Sequence, residues 1–220
     1  MSKRPTGPKL LIVEGYDDLS FISGLMEANV SSWKSGDDYL VSATLPCRES
    51  ASGGKAAINV NNAYVHLKGG GKTHVAFVVD ADKDFAATKQ RLDQIIEGLK
   101  QKLIKDGIER PEFSYWIMPN NAAQGMIEDL VLSLIPDSPL LQHAESSADV
   151  AKQDHCAPFR RLDTASGANH FSKAKLRTWL AWQDEPGMRI GHAVASKVID
   201  PQAANAKSFL DWFIAFYGLK

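Results

Sequence analysis

Two short apolar runs stand out along the chain, and each ends in acid. Leu10-Leu11-Ile12-Val13 runs into Glu14-Gly15, and Val75-Ala76-Phe77-Val78-Val79 runs into Asp80-Ala81-Asp82. Uninterrupted apolar runs of this kind read as strands buried on both faces, as in parallel sheets covered by helices. Behind the first, Leu19, Phe21, Ile22, Leu25 and Met26 recur at helical spacing, which predicts a helix from near Asp17. Behind the second, Leu92, Ile95, Ile96, Leu99 and Leu103 mark an amphipathic helix stopped by Gly107. Between them, Tyr39 to Leu45 is a strand of mixed alternation ended by Pro46. A helix is expected over 56–67, against the poor propensity of asparagines 59, 61 and 62. Phe113 to Met118 is a further strand, followed by a turn at Pro119-Asn120-Asn121. Ile127, Leu130, Val131, Leu134 and Ile135 then mark a helix, with Glu128 and Asp129 in its early turns and off its apolar stripe.

This alternation of strand and helix predicts an α/β domain over residues 1–139, with a mostly parallel sheet flanked by helices. From residue 140 the pattern becomes helical. Helices are expected over 140–155, 171–182 and 190–198, with an irregular stretch at 157–169. Phe209, Trp212, Phe213 and Phe216 form an aromatic stripe on a last helix, and core packing accounts for it. Residues 140–220 therefore read as a helical extension packed on the sheet.

Composition narrows the classes. With 220 residues, 44% hydrophobic and 23% charged, the chain is an ordinary globular one. A formal net charge of -1 gives no global field for nucleic acid, so such binding needs a local patch or a metal. Cys47 and Cys156 show no zinc spacing and make no disulfide framework, which points to a reducing cytoplasm. No apolar stretch has the length of a signal peptide core or a membrane span. The histidines are dispersed, which argues against a His-based metal site.

The chemistry lies in the carboxylates. Glu14 falls at the carboxyl end of a buried strand, where open α/β sheets place their ligands and where an acid needs a partner or a metal. Asp18 stands in the first helical turn beside it, where it and Asp17 also suit the helix dipole. Strand side chains alternate, so Asp80 and Asp82 are expected on one side, and adjacent strand ends bring Glu14 to the same place. Carboxylates that close repel unless they bind cations or hold protons. An all-oxygen set without His or Cys suits Mg²⁺ or Mn²⁺ and phosphoryl chemistry.

In their order, Leu11-Ile12-Val13-Glu14-Gly15-Tyr16-Asp17-Asp18, Gly53-Gly54-Lys55, Val78-Val79-Asp80-Ala81-Asp82, Trp116 to Asn121, Gly125 to Asp129, Lys173-Ala174-Lys175 and Thr178 to Ala181 carry a resemblance. The chain resembles the Toprim fold of topoisomerases, bacterial-type primases, RecR-like recombination proteins and OLD-family nucleases. More closely, and over nearly its whole length, it is similar to a Toprim-like family of bacterial and archaeal proteins of unknown function. The resemblance implies a divalent-metal-dependent phosphoryl-transfer protein, a nuclease acting on DNA or RNA, with a defence or mobile-element setting in view. It implies acid/base work for Glu14, metal binding for Asp80 and Asp82, and a second metal at Asp18 and Glu128. Lys55 is a candidate to neutralise a phosphate in the transition state, with a surface lysine on a Gly-rich turn as the other reading. The diagnostic tyrosine and partner domains of topoisomerases and primases are not evident, so those full activities are not implied.

Two further basic features weigh less. Arg160-Arg161 with Lys173, Lys175 and Arg177 reads as a solvated helical face more readily than as a phosphate-backbone patch. Gly69-Gly70-Gly71-Lys72-Thr73 lacks the spacing and the following helix of a phosphate loop. The alternative to an enzyme is a non-catalytic Toprim-fold binding module, scaffolding a nucleic-acid or ATPase complex as RecR-like proteins do, and the near-neutral charge favours it somewhat. A nucleotide-binding regulator of flavodoxin-like topology ranks last, for want of a Gly-rich first turn.

Overall fold

The computed structural model describes residues 7–31, 40–44, 58–156 and 170–220. Lys55, Cys47 and Arg160-Arg161 lie outside the described residues. In chain order the elements are β1 (Lys9–Val13), α1 (Tyr16–Asn29), β2 (Leu40–Thr44), α2 (Val60–Tyr64), β3 (His74–Asp80), α3 (Phe85–Lys105) and β4 (Glu112–Met118). Among the described residues, the α-helices that follow are α4 (Ile127–Ser133), α5 (Pro139–Gln153), α6 (His170–Ala181), α7 (Ile190–Ala195) and α8 (Lys207–Tyr217). Among the described residues no helix is long and apolar enough to cross a membrane.

Among the described residues, four strands form one all-parallel sheet in the order β2-β1-β3-β4. The chain leaves β1 in one direction to β2 and returns past it to β3 and β4. Right-handed crossovers then put α1 and α3 on opposite faces. Strand alternation divides the core accordingly. Leu11, Val13, Ala76, Val78, Trp116 and Met118 face the side covered by α1, α4, α6, α7 and α8. Leu10, Ile12, Val75, Phe77, Val79 and Ile117 face α2 and α3.

The apolar patterns account for most of this. The stripe of α3 is buried at Leu92, Ile95, Ile96, Leu99 and Leu103, and Asp84 caps the helix by accepting from the Ala87 N–H at 2.9 Å. Residues 56–57 of the helix expected over 56–67 lie outside the described residues; of the rest, Val60–Tyr64 is helical, and its asparagines stand at its start. Asn59 accepts from the N–H groups of Asn61 and Asn62 at 2.9 and 3.0 Å, and Asn62 accepts from the Asn59 N–H at 2.9 Å. Asparagine is a poor interior helix residue and a good cap for the same reason, its short side chain competing for local backbone groups.

The C-terminal helices complete the first core layer. Phe209, Phe213 and Tyr217 are fully or nearly fully buried, and Phe209 meets Trp116 of β4 edge-on at 5.5 Å between centroids. The Trp212 indole N–H donates to Ser114 Oγ at 2.9 Å, and the Tyr217 hydroxyl donates to the Leu10 carbonyl of β1 at 2.7 Å. Burial pushes the Tyr217 phenol well above the ordinary tyrosine range, so it stays a donor. Tyr217→Phe is expected to cost about 1–2 kcal/mol, the price of leaving a buried carbonyl short of a partner. Urea unfolding checks this; a variant as stable as the wild type would show that the bond contributes nothing net.

Candidate functional site

The chain reverses direction across the sheet between β1 and β3, and open α/β sheets bind ligands in the crevice at such a reversal. Glu14 follows the last residue of β1, and Asp80 is the last residue of β3. Since β1 pairs directly with β3, Val13 opposite Val78, the two acids stand at the carboxyl ends of neighbouring strands.

Asp80 is the most constrained of the acids. It is 6% exposed, and its Oδ1 accepts from the Ile127 N–H at the start of α4 at 2.8 Å. Its carboxyl is pushed up to about 8, first by burial and then by the negative charge of Asp18, Glu14 and Glu128, with the Ile127 bond opposing. The same interactions identify the group that the fold assembles: Glu14 just past β1, Asp18 from α1, Asp80 from β3 and Glu128 from α4.

Each remaining acid has a local reason for its place. Asp18 accepts from the Gly15 N–H at 2.7 Å, closing the start of α1. Asp129 does the same for α4, accepting from the Met126 N–H at 2.8 Å, while Ser172 of α6 donates to its other oxygen. The helix periodicity sets Glu128 off the apolar stripe, yet it is 5% exposed. The side of α4 away from the sheet is itself covered, by α6, and Lys173 Nζ lies 3.8 Å from Glu128 Oε1. Glu14 leans to the other face, where Arg91 of α3 approaches it to 3.8 Å.

Asp82 is placed differently from the alternation argument. The strand ends at Asp80, and Asp82 takes a left-handed conformation with φ 52° and an exposed side chain. Its backbone instead pairs with Gly125 in both directions, at 2.8 and 2.9 Å. Period two holds only while the backbone stays extended, so it cannot carry past residue 80. Gly125 has φ 134°, and a Cβ there would stand 2.7 Å from Asp129 Oδ2, so this bridge requires glycine on both counts.

Three cations belong to the site that sequence patterns did not assign to it. Arg91 flanks Glu14, Lys173 flanks Glu128, and Arg177 is ion-paired with Asp17. Lys173 and Arg177 are one turn apart on α6 and both face the acids; Lys175, between them, turns to Glu145 of α5 at 2.8 Å. The 173–177 segment is therefore not simply a solvated face. Helical spacing of two cations opposite an acidic helix start was the available signal. Nothing in the sequence singles out Arg91.

As donors for an ion, the four assembled carboxylates offer only oxygen, a set that suits a hard divalent cation. Among the described residues, no group of three or more His, Cys, Asp and Glu side chains stands close enough to hold a metal ion as placed. No curated protein and no solved structure matches the chain. A family model described as "Protein of unknown function (DUF3226)" matches residues 8–218, and the chain belongs to that family.

Proposed function

We propose that this family member is a Toprim-type, Mg²⁺- or Mn²⁺-dependent phosphoryl-transfer protein, a nuclease acting on phosphodiester bonds of DNA or RNA in a reducing cytoplasm. The observation that carries the reading is Asp80: a buried carboxylate at the sheet's reversal point, with three more acids acting on it. Such crowding destabilises a metal-free fold, and a perturbed acid in the crevice at a sheet's reversal point favours a functional role. A divalent cation bound there would polarise a phosphate and activate water. Asp80 and Glu128 are the buried donors for it, with Asp18 beside them and exposed Asp82 at the rim. Glu14 is the acid/base candidate, held near its working position by Arg91. Lys55 remains the proposed counter-charge for a phosphate. Binding would draw the carboxylates inward from Arg91 and Lys173 and release those cations toward phosphate oxygens.

One observation favours a second reading. Arg91 and Lys173 already offset two of the acids without a metal, as a binding module in a nucleic-acid or ATPase complex would allow. Calorimetric titration of Mn²⁺ into the wild type and Asp80→Asn separates them. Saturable binding by the wild type that is lost in the variant, with Mn²⁺-dependent cleavage of an oligonucleotide lost in Glu14→Gln, is the expected result. A wild type that binds no Mn²⁺, with or without oligonucleotide, and cleaves nothing would leave only the scaffold.

A further inference from the structure

We propose that the cleft beside the start of α1 is a nucleobase subsite for single-stranded nucleic acid, with Tyr16 as the stacking platform and Arg189 on the backbone phosphate. The inference rests on the nuclease reading and names the form of its substrate. The cleft is open to solvent, has a volume of about 510 Å³ and is lined by Tyr16, Asp17, Leu19, Ser20, Ser23 and Arg189. Tyr16 is 70% exposed, more than any other large hydrophobic side chain among the described residues. Its ring contributes little to the core, and a flat apolar face in water is a surface for another flat apolar group.

Position and charge specify that group. Tyr16 lies two residues beyond Glu14 in the chain, at the start of α1, and the cleft runs from it along α1 to Arg189, with none of the four acids in its lining. The one carboxylate lining the cleft, Asp17, is already ion-paired with Arg177, which leaves Arg189 to attract an anion. An aromatic face next to arginine, with serine hydroxyls along the wall, matches a base joined to a phosphate. In a duplex the base faces are already stacked on each other, so only an unpaired strand can offer one to Tyr16.

The test is fluorescence anisotropy of a labelled oligo-dT of about 12 nucleotides, a length within the usual range of single-strand sites, in Ca²⁺ buffer with the full chain. Tyr16→Ala should weaken binding about five- to 150-fold, the range of one base–aromatic stack. Tyr16→Phe should retain affinity within about two-fold, since it keeps the ring. Arg189→Ala should weaken binding and lower the salt dependence by about one phosphate contact. Thermal unfolding of Tyr16→Ala, whose ring is exposed, should match the wild type. Tyr16→Ala binding the strand like the wild type overturns the inference. So does a duplex, or thymidine monophosphate, bound as tightly as the strand, or a wild type that binds no strand. The Mn²⁺ titration is read separately: metal binding and cleavage that survive while Tyr16→Ala has no effect remove the subsite and leave the nuclease reading standing.

Discussion

Gly191→Ala is expected to destabilise the fold by on the order of 2–3 kcal/mol, although alanine is the better helix former by about 1 kcal/mol. The reason lies in how α1 and α7 meet. A Cβ on Gly191 would stand 2.0 Å from the backbone oxygen of Ser20, and one on Gly24 would stand 2.5 Å from the backbone oxygen of Gly191. The Ser20 hydroxyl, 2.2 Å from a Cβ on Gly191, can swing aside, but the backbone carbonyls cannot. Ser20 and Gly24 are one turn apart on α1 and form the groove that receives α7. To admit a methyl group the helices must separate, which lifts Ile190, Ala193 and Val194 from the core they fill with Phe21, Ile22 and Leu25. Close-packed interiors transmit such a shift instead of absorbing it. Gly69→Ala is the control: nothing lies within 4 Å of a Cβ there, and a change within about 0.5 kcal/mol is expected. Urea unfolding followed by circular dichroism measures both. If Gly191→Ala equals Gly69→Ala, the helices do not approach as closely as described. Arg189 stands at the N-cap position of α7 and lines the cleft with Tyr16, so the same variant should also disturb that cleft.

The strands were legible in the sequence because burial on both faces demands runs without polar residues, and Leu10–Val13 and Val75–Val79 have them. Their adjacency was expected as well, and with it the meeting of Glu14 and Asp80. The alternation reading reached Asp80 and then failed at Asp82, since nothing in an acid-alanine-acid triplet reports that the backbone turns left-handed. Glu128 was legible as a first-turn acid, but its burial depends on α6, an element distant in the chain. Glycines 24 and 191 carry no local signal: inside a helix, glycine reads as a weakness until the neighbouring helix is in place. The Tyr217–Leu10 bond joins residues 207 apart in sequence, and only the aromatic stripe hinted that α8 returns to the first strand.

Asp80→Asn in metal-free buffer should be more stable than the wild type at pH 8, with the gap closing as pH falls toward 4. The sign follows from the direction of the shift. The Asp80 carboxyl titrates near 3.8 when unfolded and about 8 when folded. Between those values the unfolded chain has released its proton and the folded chain retains it. The group's contribution is therefore most favourable below the unfolded value, declines as pH rises through the window, and levels off above the folded value. A difference of that size corresponds to at most on the order of 6 kcal/mol. The measured effect should fall below that, because the carboxylates that press on Asp80 can move apart. Asparagine is neutral throughout and keeps an oxygen for the Ile127 N–H, so it removes the titration and not the hydrogen bond. Urea unfolding from pH 4 to 8 in EDTA is the measurement, and parallel curves for the two proteins would show Asp80 charged in the fold and overturn the account. Added Mn²⁺ should then reverse the order. A cation favours the ionised carboxylate, stabilising the wild type by an amount that grows with the logarithm of its concentration, and asparagine offers it a far weaker ligand. On the proposed metal-binding reading, Asp80 weakens the empty fold and strengthens the loaded one, a reversal that a purely structural carboxylate would not show.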